Sequence, residues 1–350
     1  MLDRENLLQL MKTTIGANPA NSYSFNGETF SYSALNDTLR QELNELVGTE
    51  ELYQENKRKV FALISETIDE VLPPRLIERY GEFAEIRQYA QGDKPIFTRR
   101  IGKMRAKQFI TRVGLAGRYE TFKLGEESFE LVTSAIGGAA KIGFEEFLDG
   151  RVNFAELVEI VMDGMDELIY REIAKALMNA IAQLPEANRV AVMGFDEDAM
   201  DYVVNTASVY GTPTIYCTRE FAAKMLPATG WVSDNMRDTR WNVGYLGIYK
   251  GCRVIVLPQS FEDETNKVKV IDPGYIWVIP AGADIKPVKV AFEGVTHTRE
   301  CDDNDDWSRD IQVYRKVGVG VIMTNTLFSY VDTQLQGKLD NLNTWTEVNP

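Results

Sequence analysis

Between Ile96 and Gly125 the chain reads IFTRRIGKMRAKQFITRVGLAGRYETFKLG, which holds eight Lys or Arg residues and one Glu in a protein of formal net charge −14. This stripe sums to +7 while the other 320 residues sum to −21. Its midpoint, Val113 to Gly117 (VGLAG), reads as a turn between two legs, 97–113 and 118–134. Each leg could reach ~55 Å at ~3.3 Å per residue. Neither shows the clean apolar alternation of a half-buried sheet, and an isolated two-stranded ribbon is marginal in water. The projection is therefore expected to be ordered by contact with something else.

Three explanations compete for the stripe. A solvated basic hairpin would be costly, because eight uncompensated charges share a poorly packed ribbon. Nucleic-acid contact would set Arg99, Arg100, Lys103, Arg105, Lys107 and Arg112 on phosphates, with Phe97, Phe109 and Tyr119 free to stack. The acidic remainder of the chain opposes that reading, since it would repel DNA at long range. Docking on the acidic surface of an identical neighbour, a head-to-tail contact, uses the charge segregation directly.

The chain has 350 residues, 44% apolar and 10% aromatic, enough for one large domain or two to three smaller ones with a full core. Cys217, Cys252 and Cys301 are an odd count with no C-x-x-C pair. They read as reduced thiols, small buried hydrophobes in a cytosol-like compartment. The start, MLDRENLLQLMKTTIG, lacks a basic n-region with a long apolar run, and no window reaches the ~18 apolar residues of a membrane span. A soluble, unexported chain without membrane contact is expected.

Residues 1 to about 35 are polar with weak periodicity and read as an extended arm. From Asp37 to about Tyr89 apolar residues recur at three and four, which predicts helices broken at Pro73-Pro74 and resumed over Arg75 to Arg87. After a strand and turn at 135–150, Asn153 and Glu156 form a capping pattern. Ahead of them Phe154, Leu157, Val158, Val161, Met165, Leu168, Ile169, Ile173, Leu177 and Ile181 mark one helix of about thirty residues, ~45 Å long, ending near Leu184-Pro185. Met162, Met165 and Met178 read as core filling. Residues 187 to about 292 alternate helices with short strands, an α+β pattern with a mixed or antiparallel sheet. Trp307 to Val331 reads as an apolar strand pair that returns to an earlier element.

Catalytic constellations are scarce. His297 is the single histidine, so any nucleophilic mechanism would run through VTHTRECDDNDD, and no G-x-S-x-G elbow accompanies it. A surface histidine is the simpler reading. Asp302, Asn304 and Asp306 match the first EF-hand ligand positions. Trp307 then replaces the turn glycine and Val313 the bidentate glutamate, so a solvated acidic loop is expected. Neither a P-loop nor a dinucleotide cradle occurs, and the GVGV at Gly318 to Val321 lies in a strand context. No cofactor, metal site or enzymatic activity is expected.

The order of these elements, with the segments TIYCTREFAAKML, GYLGIYKGCRVIVLP, YIWVIPAGADIKPVKVAFEG and DIQVYRKVGVGVIM, resembles the Hong Kong 97-like major capsid proteins of tailed double-stranded DNA phages. The resemblance implies an α+β fold with an N-terminal arm and helices (1–95), an extended loop (96–135), a peripheral domain with a long spine helix (136–186), an axial domain (187–292), and a return to the peripheral domain with a C-terminal tail (293–350). It implies hexamers and pentamers that form an icosahedral or prolate virion shell around double-stranded DNA, without sequence-specific binding. The loop residues Arg99, Arg100, Lys103, Arg105, Lys107, Arg112 and Arg118 would contact the neighbouring copy. Trp231, Arg237, Arg240 and Trp241 would meet at the axial tip. Portal, scaffolding and decoration proteins are the implied partners, and the subunit would be made in the host cytoplasm and end in the virion capsid. Some members weld the shell through a Lys to Asn isopeptide bond, for which Lys103, Lys107 and Asn325 would be the groups available. An encapsulin-type compartment, which shares the fold but encloses protein cargo, is the alternative, and a DNA-binding protein using the hairpin is the third reading.

Overall fold

The computed structural model describes residues 3–15, 22–25, 28–100, 126–142, 154–226, 233–261, 269–281, 286–301, 309–322 and 326–335. The chain divides into two compact units. One comprises Met1–Gly81, Ile86–Tyr170 and Val290–Val319; the other comprises Glu82–Glu85, Arg171–Lys289 and Gly320–Pro350.

The first unit opens on three helices, α1 (Arg4–Ile15), α2 (Tyr32–Val47) and α3 (Glu50–Tyr80), with a small hairpin of β1 (Ser22–Phe25) and β2 (Glu28–Ser31) between the first two. The extended arm expected for residues 1–35 is thus a helix over its first part. The reason is burial: Leu7, Leu10, Met11 and Ile15 are 0–4% exposed, and α1 packs on α2 and α3. Ser31 and Thr49 cap the following two helices, each accepting a backbone N–H three residues on.

Helix α3 runs through Pro73 and Pro74, where the sequence predicts a break. An interior proline costs about 3 kcal/mol or more, and packing on both sides offsets it. Ile68, Leu72 and Leu76 are fully buried, and Arg75 and Arg79 just beyond are ion-paired. The helix then ends at Gly81, so the stretch expected to stay helical to Tyr89 is instead strand β3 (Ala84–Tyr89).

Among the described residues, strands β4 (Ile96–Arg100) and β5 (Glu126–Glu130) pair only with each other. A four-stranded sheet has the order β3, β12 (Val288–Cys301), β13 (Arg309–Val321), β6 (Ser134–Ile142). Gly137 permits the close approach of β6 to β13, since a Cβ there would stand 2.1 Å from the Val313 carbonyl oxygen. Helix α4 (Phe154–Ile181) is the long helix foreseen from its periodicity. Val158, Met162, Met165, Ile169, Ile173 and Leu177 along it are all below 5% exposed.

The second unit is built on a six-stranded mixed sheet, ordered β7 (Arg189–Val192), β14 (Phe328–Asp332), β11 (Tyr275–Ala281), β8 (Thr212–Cys217), β10 (Cys252–Val256), β9 (Ile248–Tyr249). Two of its pairings are parallel and three antiparallel. One face packs on α5 (Glu197–Ser208) and α6 (Arg219–Ala222), where Met200, Val203, Ala207, Phe221, Ile215, Ile276, Phe328 and Tyr330 form the core. The closing segment is not a strand pair: β13 joins the four-stranded sheet and β14 the six-stranded one. Each enters beside partners that bury it, with Phe328 and Tyr330 fully covered. No helix of the described residues is long and apolar enough to cross a membrane.

Candidate subunit-contact surfaces

The stem of the basic loop is anchored more firmly than its sequence suggests. In β4, Phe97 is 1% exposed, held edge-on by Tyr89 at 5.9 Å and covered by the Arg87 guanidinium at 5.1 Å from the ring centre. The Tyr89 hydroxyl donates to the Ile96 carbonyl at 2.9 Å. Both roots of the stem converge on Glu293 of β12. Its carboxylate accepts the Gly92 N–H at 3.2 Å before β4, accepts the Thr133 hydroxyl after β5, and pairs with Lys316 of β13 at 3.2 Å. These contacts, led by the Thr133 hydrogen bond, hold the Glu293 carboxyl below the ordinary glutamate range.

The β4–β5 register sets Arg99 opposite Glu127 and Arg100 opposite Glu126. Two of the stripe's basic positions are therefore opposite acidic positions in the backbone register, which the count from 96 to 125 alone does not reveal. Lys103, Arg105, Lys107, Arg112 and Arg118 lie outside the described residues, as do the side chains of Arg99 and Arg100 and the residues Phe109, Tyr119, Trp231, Asn325 and Asp302 to Asp306.

A second surface is α7 (Asp234–Val243), a helix with no buried residue. Its ends are closed locally. The Ser233 hydroxyl accepts the Met236 N–H, and Gly244, at φ 92°, donates its N–H to the Arg240 carbonyl. Arg237 pairs with Asp234 one turn back at 3.2 Å, and Trp241 is 90% exposed. Apolar periodicity misses this helix because it is polar all round. The signals that could have found it are its serine and glycine caps.

Two buried polar clusters, invisible to pattern reading, brace the first unit. Asp166 of α4 is 1% exposed and takes hydrogen bonds from Arg79 and Tyr80 of α3, with Arg75 at 3.6 Å. Burial pushes its carboxyl upward while Arg79 and then Arg75 pull it back. Tyr80 stacks on Tyr170 at 5.4 Å between ring centres. In the other cluster, Asp69 of α3 accepts the Thr296 N–H at 3.0 Å and its hydroxyl at 2.6 Å, and lies 3.2 Å from Arg315. Arg315 is 2% exposed, and its guanidinium sits 4.3 Å above the Phe292 ring centre.

His297 is half-buried and stacks on Tyr314 at 5.1 Å, so it is less exposed than a surface histidine. Cys217 and Cys252 are free and buried, and burial pushes the Cys217 thiol up to about 12. Among the described residues no group of His, Cys, Asp and Glu is arranged to hold a metal ion.

No curated protein matches the chain. Among solved structures it is similar to the asymmetric unit of the bacteriophage PhiM1 mature capsid, at a TM-score of 0.52 and 9% identity, over 73% of this chain and 86% of that one. The capsid of cyanophage P-SCSP1u aligns at a TM-score of 0.49 and 9% identity, covering 72% and 87% of the two chains. The virus-like particle of Pyrococcus furiosus aligns at 0.40 and 12% identity, covering 75% and 98%. The PhiM1 likeness shows the fold, the Hong Kong 97-like α+β architecture that the order of elements resembles. A model of the family described as "SPbeta prophage-derived putative capsid protein YonB" matches residues 6–332, and the chain belongs to that capsid protein family.

Proposed function

We propose that this protein is the major shell subunit of a phage head, acting by self-assembly and not by catalysis. It forms hexamers and pentamers that close around double-stranded DNA without reading its sequence. The observation that carries the reading is the β4–β5 stem, a two-stranded ribbon that pairs with no other strand among the described residues yet is tied at both roots to Glu293. A ribbon of this kind is marginal by itself, and an identical neighbour with a strongly acidic surface can supply the missing contact. Arg99, Arg100, Lys103, Arg105, Lys107, Arg112 and Arg118 are the residues assigned to it.

In the same reading residues 1–95 are arm and helices, 96–135 the extended loop, 136–186 the peripheral domain, 187–292 the axial domain and 293–350 the return segment and tail. Helix α7, with Arg237, Arg240 and Trp241 exposed, and Trp231 beside it in sequence, supplies the contacts at the capsomer centre. Synthesis in the host cytoplasm and partnership with portal, scaffolding and decoration proteins belong to this proposal. Membership of a prophage capsid family favours it over a compartment for protein cargo. Lys103, Lys107 and Asn325 remain the groups available for a covalent weld, with a subunit-sized step on denaturing gels as its signature.

Electron microscopy of the expressed protein tests the reading. Closed shells or capsomers are expected, and exchange of Arg99, Arg100, Lys103 and Arg105 for Glu should abolish them with the circular dichroism unchanged. Particles that persist after that charge reversal would reject the role given to the stripe.

A further inference from the structure

Strand β7 is the outer strand of the six-stranded sheet: among the described residues it pairs with β14 alone, and its other edge is open. Sheet edges are ordinarily shortened, charged or covered, because an open one invites another strand. Arg189 and Ala191 on this edge are exposed, and Met193 just beyond it is 82% exposed. The register aligns Ala191 with Val331 and Tyr275 across three strands. That row lies on the face opposite Val190, Tyr330 and Ile276, which belong to the core under α5 and α6.

Between the Ala191 row and the end of α4 lies a hollow of about 500 Å³. Ile181 and Val331 are its buried floor, and Met178 is half-buried beside them. Ala182 and Ala191 are exposed and too small to fill its mouth, and Glu186 and Arg189, also exposed, line it too.

The chain itself comes back to this edge. Beyond β14 the Thr333 N–H donates to the Val192 carbonyl at 2.8 Å, and the Asp332 carboxylate accepts the N–H groups of Gly194 and Gln334, each at 2.9 Å. Residues 336–350, QGKLDNLNTWTEVNP, continue from that point and lie outside the described residues. Thr344-Trp345-Thr346-Glu347-Val348 within them is rich in strand-forming residues, and Gly337 and Asp340-Asn341 are turn formers.

We propose that this segment of the same chain covers the β7 edge as a further, antiparallel strand, with Trp345 opposite Ala191 and its indole in the hollow. The same register sets Glu347 opposite Arg189 on that face, and Thr344 and Thr346 opposite Val192 and Val190. A slip of one residue would turn both Trp345 and Glu347 away, so the pattern selects one register. Residues 336–342 can span ~23 Å at ~3.3 Å each, enough to turn from Leu335 to the strand's start beside Met193. Seating an aromatic side chain buries ~150–250 Å², Glu186 can accept the indole N–H, and the Arg189–Glu347 pair adds a cross-strand attraction. The inference concerns the single subunit and does not rest on shell building.

The test uses the full chain with Cys301→Ser. Arg189→Cys with Glu347→Cys should oxidise to a disulfide within one chain, a faster monomer band on non-reducing gels, because cross-strand partners stand ~4.5–5.5 Å apart at Cα. Arg189→Cys with Thr346→Cys, whose side chains would point to opposite faces, should not. Hydrogen exchange over Arg189–Val192 should quicken at least tenfold in a chain ended at Leu335 and in Trp345→Ala, with β8 and β11 unaltered. The proposal is overturned if the two cysteine pairs oxidise alike, if neither gives the intrachain bond, or if exchange at β7 is indifferent to the loss of residues 336–350. It is also overturned if the Arg189→Cys, Glu347→Cys chain forms a ladder of linked subunits, because a neighbouring copy's segment would then hold the edge.

Discussion

Asp69→Asn isolates one charge at the junction of α3 with the four-stranded sheet. Asparagine keeps the acceptor for Thr296, so the hydrogen bonds at 2.6 and 3.0 Å can persist while the counter-charge of Arg315 is removed. At 3.2 Å and an effective dielectric near 20, the pair is worth about 5 kcal/mol. The Asp69 side chain is 20% exposed, so water screens part of that, and the expected loss is about 3–5 kcal/mol. Besides the face of Phe292, Asp69 is the partner shown for Arg315. Its Nε and Nη1 atoms make no hydrogen bond among the described residues, burial pulls its pKa downward, and Asp69 is what opposes that pull. Arg315→Met should therefore cost less, about 1–2 kcal/mol, because it removes the buried cation and keeps apolar volume over Phe292. The double variant should resemble Arg315→Met, giving a coupling of about 2 kcal/mol or more. Hydrogen exchange of the β12 segment around Thr296 provides the assay. Asp69→Asn should lower protection by roughly a hundredfold or more, at 1.4 kcal/mol per factor of ten. An Asp69→Asn variant milder than Arg315→Met, or a double variant equal to the sum of the singles, would refute the reasoning.

The Glu293 clamp makes the loop stem sensitive to acid. Its folded-state pKa is lowered, so its contribution is present at neutral pH and is lost as pH falls below the ordinary glutamate value through the depressed one. Exchange at Gly92 should accelerate over that window, and Glu293→Gln should show faster exchange already at pH 7. Trp241→Ala should leave subunit stability within about 0.5 kcal/mol, since a side chain 90% exposed buries almost nothing within the subunit. It should still reduce capsomer formation by native mass spectrometry; unaltered capsomers would reject the axial contact proposed for Trp241.

Helix α4 was legible because apolar residues recur at three and four along it, and that periodicity fixes the element and most of its buried face, Leu168 at 37% exposed being the exception. The mixed sheet of the second unit was legible as a class, from short β-branched runs with glycine and proline at their joints. The segregation of charge between the stripe and the rest of the chain is a property of composition alone. Pattern reading failed where long-range packing overrides local preference. Prolines 73 and 74 forbid a helix locally, yet Leu72 and Leu76 inside the bundle hold one there. The segments β13 and β14 look like one apolar pair, yet backbone partners distant in sequence claim them separately. The Glu293, Asp69 and Asp166 clusters join groups as far apart in the chain as Asp69 and Arg315. Such contacts leave no period in the sequence, because a hydrogen bond or ion pair is decided by where two side chains meet in space.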